Sequence, residues 1–360
     1  MLSTKQLIFT ELSSPKTADG FVSGQDLARI CGVSRTAVWK AVQSLIKEDI
    51  QIEASTNRGY RLKGEGTLLS EEILEAVISQ NKDEKNIRFK VFKTIDSTNM
   101  EAKRLCANAG FLRDCSGNLT QSGTQLHKLV ILADQQTAGR GRLGRPFYSP
   151  EQSGIYLSMI YVPKHSIIQP AKMTAAAAVA VCRALKKIYS LDAQIKWVND
   201  IFINGKKVCG ILTEGVSNFE TGGIEAAIIG IGVNICSGAG GFPANIAKVA
   251  GTLLASDKGP VLRNELAAEI AAELAGLYDE EENCPGSAKT KQIMEEYKER
   301  SMILGKELEV TQVIGTEKKY SAKAVDIADD ASLVVELKDG TLRKLQSGEV
   351  SLSSVQFSHS

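Results

Sequence analysis

Residues 139–145 read GRGRLGR, so three arginines and three glycines share seven positions. Arginine supplies a planar, permanently charged fork suited to phosphate or carboxylate. Glycine lets backbone N–H groups approach a ligand closely. Taken alone, the loop is either an anion site or a solvated basic loop. No GlyLysSer or GlyLysThr follows it, which excludes a P-loop. Further on, Lys196-Trp197-Val198-Asn199-Asp200 lies in a strand-like run, where a lysine between Ile195 and Trp197 fits a core poorly and calls for an anion. The runs 207–214 (KVCGILTE) and 229–235 (IGIGVNI) place Gly210, Gly230 and Gly232 inside strand patterns, either as bulges or where a ligand presses on backbone. Upstream, 96–99 (DSTN) offers hydroxyl and amide groups just before a helical pattern, where a plain N-cap is the simpler reading. The three histidines (127, 165 and 359) adjoin none of these motifs, which argues against Ser-His-Asp or histidine-metal chemistry.

The elements that carry these motifs divide into three parts. Residues 22–45 hold two short apolar-periodic segments around CGVS, with Gly32 suited to a tight turn and Ser34 to capping the next helix. Leu27, Ala28 and Ile30, then Val38, Val42 and Leu45, are expected to face inward. Arg35, Thr36, Lys40 and Gln43 are left outward. Residues 51–62 read as a hairpin turning at Thr56-Asn57-Arg58-Gly59, so this part is a winged helix. Its DNA-binding residues would be Ser34, Arg35, Thr36 and Lys40 in the groove, with Lys47 and Arg58 on phosphate. A protein-docking module is the plainer alternative.

Punctuation at 64–67 (GEGT) and the capped, acidic start at 70–72 mark a boundary. Strand-like runs then mix with two long helical patterns, at 170–189 opened by Pro170 and at 260–278. The last stretch has short β-like runs with turn signals, as in a small barrel. The expected domains are 1–65, 66–303 and 304–360. Residues 106–128, which contain the polar QSGTQ, read as a surface insertion.

Length and composition agree with a multidomain globular protein: 360 residues, 43% apolar and 24% charged. The 43 basic residues nearly cancel 42 acidic ones, so any DNA contact must be regional. Seven scattered cysteines without CxxC spacing suggest neither a disulfide framework nor a zinc site, and point to the cytoplasm. The N-terminus lacks a signal-peptide core, and the apolar run at 170–189 is far shorter than the roughly 20 residues a bilayer needs, so no membrane partner is expected.

DSTN, GRGRLGR, KWVND and the two glycine-bearing strands, in this order, resemble the biotin-protein ligases over most of the chain. With the winged helix and C-terminal barrel, the resemblance is to the bifunctional members, which are both ligase and biotin-responsive repressor. It implies an α+β multidomain fold: a winged helix-turn-helix, a central mixed-sheet catalytic domain and an SH3-like C-terminal β-barrel. It also implies a reaction in which biotin and MgATP give biotinyl-5'-AMP, followed by transfer to a lysine of a biotin carrier domain. The resemblance makes Lys196 and Arg140 catalytic. It assigns biotin to Ser97, Thr98, Asn99, Gln136, Arg140, Gly141, Arg142, Lys196, Gly210 and Gly232. The adenylate falls to Arg140, Arg142, Arg145, Trp197, Asn199 and Asn234, with Trp197 and Ile231 as apolar walls. ATP and Mg2+ are the expected cofactors, with no protein metal cage and Asp200 as the one candidate carboxylate. The expected partners are the carrier domain, operator DNA and, with adenylate bound, a second copy of the chain. Val198 stands where the family commonly has proline. A small-acid-sensing regulator without turnover and a lipoate-type ligase are the competing readings.

Overall fold

The computed structural model describes residues 3–13, 20–47, 52–62, 69–80, 86–164, 169–217, 223–238, 240–254, 262–311, 319–346 and 349–352. The N-terminal part comprises α1 (Thr4–Ser13), α2 (Gly24–Cys31), α3 (Arg35–Lys47) and a hairpin of β1 (Ile52–Ser55) and β2 (Gly59–Leu62). Ser23 caps α2 by accepting from the Asp26 N–H at 3.0 Å, and Gly32 ends it at φ 64°. Ser34 caps α3 through the Ala37 N–H at 3.2 Å. Ile8, Phe9, Leu12, Leu27, Val38, Val42 and Leu45 form its core; burying one such aliphatic side chain is worth about 1.5–3 kcal/mol. Ile30 departs from expectation and is 41% exposed. In so short a helix, Cys31 takes the position one turn beyond Leu27 and packs on the core, which rotates Ile30 outward. Gly59 cannot be replaced without movement, because a Cβ there would lie 2.1 Å from the Val22 carbonyl oxygen. That contact belongs to a bridge between Val22 and Tyr60, which fixes the wing against the start of α2.

A helix, α4 (Glu71–Gln80), joins this part to the next: Ile73 enters the N-terminal core while Leu74 and Ile78 enter the main one. The central domain continues with β3 (Arg88–Ile95), α5 (Thr98–Asn108), α6 (Gln121–Leu126), β4 (Leu129–Gln136), β5 (Gly154–Tyr161), α7 (Pro170–Tyr189), β6 (Gln194–Lys196), β7 (Asp200–Ile203), β8 (Lys206–Ser217), β9 (Ile224–Asn234), α8 (Arg263–Asn283) and α9 (Ala288–Glu299). Its seven-stranded sheet has the order β3-β4-β5-β9-β8-β7-β6, with β3 and β4 parallel and every other pair antiparallel. Val130, Leu132, Met159 and Ile229 face α7 and α8, whereas Ile131, Ile160 and Ile228 face α5 and α6. Burial on both faces explains why these strands read as continuous apolar runs.

Residues 106–128 are not a loose surface insertion. Leu112 is buried and packs with Leu119 and Leu126 against Ile131 and Ile160. The Arg113 guanidinium donates to the carbonyls of Val162 and Gly117, at 2.9 and 2.6 Å, and to Pro163. The segment covers one face of the sheet, and its polar composition hides the three leucines that do so.

The C-terminal part is a five-stranded antiparallel SH3-like sheet of β10 (Glu307–Thr311), β11 (Lys319–Ile327), β12 (Leu333–Glu336), β13 (Leu342–Leu345) and β14 (Glu349–Leu352), in the order β13-β12-β11-β10-β14. Its inward residues, including Leu308, Val310, Ala324 and Val335, are continuous with the central core. Among the described residues no helix is long and apolar enough to cross a membrane.

Candidate active site

A cavity of about 570 Å³ opens between the central sheet, the 139–147 loop and the C-terminal sheet. All four motifs meet on its walls: Ser97, Thr98, Asn99, Gln136, Arg140, Gly141, Arg142, Arg145, Lys196, Trp197, Asn199, Asp200, Gly210, Gly232 and Asn234 each line it. Glu309, Thr311 and Lys319 contribute from the C-terminal sheet.

At one end the start of α5 is tied to β4 and β5. Gln136 Oε1 accepts from the Thr98 N–H and hydroxyl at 2.9 and 3.2 Å, and Gln136 Nε2 donates to Ser149 Oγ at 2.9 Å. Ser158 Oγ, fully buried, lies 2.7 Å from Thr98 Oγ1 and 2.6 Å from Asn99 Oδ1. Asn99 Nδ2 donates to Glu214 at 2.8 Å, and Lys103 pairs with the same carboxylate at 2.6 Å. Burial alone raises the Glu214 carboxyl, but Lys103, Asn99 and Arg140 together hold it below its ordinary value. The plain-cap reading of DSTN fails, because Ser97 occupies the N-cap position without a side-chain cap hydrogen bond. Asp96 instead clasps Arg104 through both carboxylate oxygens, each at 2.8 Å. Hydrogen bonding to Arg104 lowers its pKa to about 2.

The arginine loop is a narrow hairpin. Gly141 N–H donates to Arg145 O at 2.7 Å, Phe147 N–H donates to Gly139 O at 2.8 Å, and a single 3-10 turn spans Arg142–Gly144. The glycines at 139, 141 and 144 keep the spacing G-x-G-x-x-G, yet they open no helix such as a dinucleotide site requires. Gly139 is confined, since a Cβ there would sit 2.5 Å from Phe147 O and 2.7 Å from Ser149 Oγ. Arg142 donates to Asn199 Oδ1 at 3.0 Å, whereas Arg140 and Arg145 are exposed at the cavity rim.

The lysine motif crosses from β6 to β7. Lys196 is half-buried, its register partner is Asp200, and its Nζ lies 6.0 Å from the centre of the Phe202 ring. Asn199 is fastened to β8 by its Nδ2 on Ile211 O and by the Ile211 N–H on its own carbonyl, both at 2.9 Å. The Trp197–Val198 peptide is cis. Trp197 lines the cavity, but it is more than an apolar wall: its indole N–H donates to Ala331 O at 2.8 Å and ties the motif to the C-terminal sheet. Asn234 Nδ2 likewise donates to Gly251 O at 3.2 Å.

Two expectations about glycine need correction. Gly210 and Gly232 were read as room for a ligand; what lies over them is Phe147, whose ring atoms would be 3.3 and 2.4 Å from the respective Cβ positions. Gly230 similarly makes room for Asn99, whose Oδ1 would be 2.2 Å away. Sequence reasoning also missed Ser158, Glu214 and Lys207. Ser158 had a signal, as the only polar residue within the apolar run at 155–161.

On the winged helix, Ser34, Arg35, Thr36, Lys40 and Lys47 are all exposed on or beside α3, together with Trp39, which is 52% exposed. Arg58 is exposed at the wing, with its guanidinium 4.1 Å from the Phe21 ring centre.

Comparison with known proteins agrees with this three-part geometry. Residues 116–234 match the Biotin/lipoate A/B protein ligase family, 16–61 an HTH domain and 303–353 the Biotin protein ligase C terminal domain. The bifunctional ligase/repressor BirA proteins of Bacillus spizizenii (strain W23) and Bacillus subtilis (strain 168) are each 31% identical over 98% of this chain and 100% of their own. The structure of biotin protein ligase from Aquifex aeolicus in complex with biotin and ATP superposes with a TM-score of 0.58 at 25% identity, covering 74% of this chain and 98% of that one. Fold and cavity thus define a protein of the biotin-ligase class that also carries a DNA-binding head. Within that class, the chain belongs to the bifunctional ligase/repressor BirA family.

Proposed function

We infer that this chain activates biotin with ATP, passes it to a lysine of a biotin carrier domain, and represses transcription in response to biotin. The convergence of all four motifs on one cationic cavity carries this reading. In the first step a biotin carboxylate oxygen bonds to the α-phosphorus of ATP and pyrophosphate leaves with the electron pair of the broken P–O bond. In the second, the carrier lysine amine attacks the acyl carbon, AMP leaves and the amine loses a proton. The first barrier is largely repulsion between two anions, which fixed cations relieve.

Lys196 is assigned to the biotin carboxylate and α-phosphate, and Arg140 and Arg142 to closing over the adenylate with Arg145. Arg142 is supported in this by its bond to Asn199. Ser97, Thr98, Asn99 and Gln136 are assigned to the ureido end, supported by the buried network that fixes their direction. Gly141 gives the ligand access to loop backbone. Gly210 and Gly232 act indirectly, by seating Phe147. Magnesium fits as a companion of the triphosphate: among the described residues no three His, Cys, Asp or Glu converge, and Asp200 is ion-paired with Lys207. When bound with ATP it shields charge on phosphate oxygens. A cytoplasmic setting is supported by seven cysteines that are all free.

Biotin-dependent exchange of labelled pyrophosphate into ATP tests the reading, with lipoate as the parallel acid. Exchange is expected with biotin only and should fall by about 100-fold or more in Lys196→Ala. Exchange with lipoate alone would favour the other branch of the family, and none with either acid would favour a sensor without turnover.

The exposed face of α3 supports operator binding, with Ser34, Arg35, Thr36 and Lys40 in the groove and Lys47 and Arg58 on phosphate. Ordering of the arginine loop by the adenylate would favour a homodimer presenting two such heads. Biotin plus ATP should then raise both the sedimenting mass and operator affinity. If neither changes, the switch is refuted.

A further inference from the structure

We propose that Lys207 is a second catalytic lysine, which holds the departing pyrophosphate, and that Asp200 is the residue that positions it. The proposal rests on the adenylation reading above. Lys207 lies outside the KWVND motif, at the start of β8, yet its side chain lines the same cavity as Lys196 and the three loop arginines. Its side chain is only 30% exposed, and Nζ lies 2.7 Å from Asp200 Oδ1. Cε and Nζ also come within 3.4 Å of where a Cβ on Gly210 would stand, so the amine lies over the glycine floor of the cavity.

The base of this side chain is held on both sides. Its N–H donates to Val249 O, and its carbonyl accepts from the Gly251 N–H, each at 2.8 Å. A purely structural ion pair is the simpler account, but the charges do not close. Asp200 is the register partner of Lys196 and the ion-pair partner of Lys207, so one carboxylate stands between two lysines at the cavity. The excess positive charge faces a space that, on this reading, receives a triphosphate. As the P–O bond to the leaving group breaks, negative charge moves onto pyrophosphate, and a cation already fixed there stabilises that change without reorganising. No proton transfer is required, so a lysine that stays charged throughout suits the task.

The test uses the full chain and three variants, Lys207→Met, Lys207→Arg and Asp200→Asn. Each is assayed for pyrophosphate exchange, for biotin binding without ATP, and for transfer from preformed biotinyl-5'-AMP to a carrier domain. Lys207→Met should lower exchange by about 100-fold while biotin binding and transfer stay near wild type, and Lys207→Arg should recover at least about tenfold of the loss. Asp200→Asn should raise the KM for ATP more than it lowers kcat, as expected of a positioning residue. Exchange within about threefold of wild type in Lys207→Met overturns the assignment. So does a parallel fall in preformed-adenylate transfer, which marks a structural role. Absence of exchange in the unsubstituted protein, by contrast, refutes the ligase reading itself.

Discussion

At Gly232 the missing side chain gives Phe147 its place. A methyl group there would stand 2.4 Å from two ring carbons, too close for any real contact. Gly232→Ala should therefore push the ring off β9, destabilise the protein by about 1–3 kcal/mol and weaken ligand binding. Thermal unfolding with and without biotin measures both effects, and an unchanged Tm would show that the ring moves at no cost. The same position shows where sequence reading stops. Arg140, Lys196 and Thr98 are legible because the chemistry demands those residue types at those spacings. Phe147, Ser158 and Lys207 take their meaning from neighbours that only the fold supplies: a glycine on another strand, a helix start, a carboxylate across a turn. Trp197 was found by its motif, but its hydrogen bond to Ala331 was not, since no spacing links residues so far apart.

At the scale of elements, the winged helix was legible down to its turn residues, because Ser23, Gly32, Ser34 and Gly59 each answer a local backbone requirement. The segment between α5 and β4 was misread because its three leucines follow no single helical or strand period. That segment ends in a pH-sensitive joint. His127 accepts from the Val162 N–H through Nδ1 at 3.2 Å and stacks near Tyr161, with ring centres 5.0 Å apart. Burial, aided by the charge of Lys128, lowers its pKa from 6.5 to about 4. The folded state thus keeps the imidazole neutral where the unfolded chain would protonate it. As pH falls from about 6.5 towards 4, the unfolded state binds the extra proton and stability declines; below that window both states are protonated and this contribution stops changing. Urea denaturation at pH 7 and pH 5 should show the loss, and His127→Gln should flatten it. An equal slope in both proteins would exclude this histidine as the source.

At the scale of the whole molecule, α4 and Trp197 are the couplings. The helix shares its two sides between the DNA-binding head and the central core, and Lys5 reaches Glu72 on it at 2.6 Å. The indole fastens the catalytic motif to the C-terminal sheet, which itself lines the cavity. The three-part division could be read from punctuation and composition; the sharing of one cavity by two parts could not, because it depends on how the sheets meet.

The chain has only two tryptophans, and they sit at the two ends of its work: Trp39 on the exposed face of α3, 52% accessible, and Trp197 at the cavity, 4% accessible. Their emission should differ in colour, the first red-shifted by water and the second blue-shifted by burial. The protein thus carries its own pair of optical reporters. Trp39→Phe leaves a signal that follows events at the cavity, and Trp197→Phe leaves one that follows the DNA-binding head, so occupancy of one end can be watched while the other is filled.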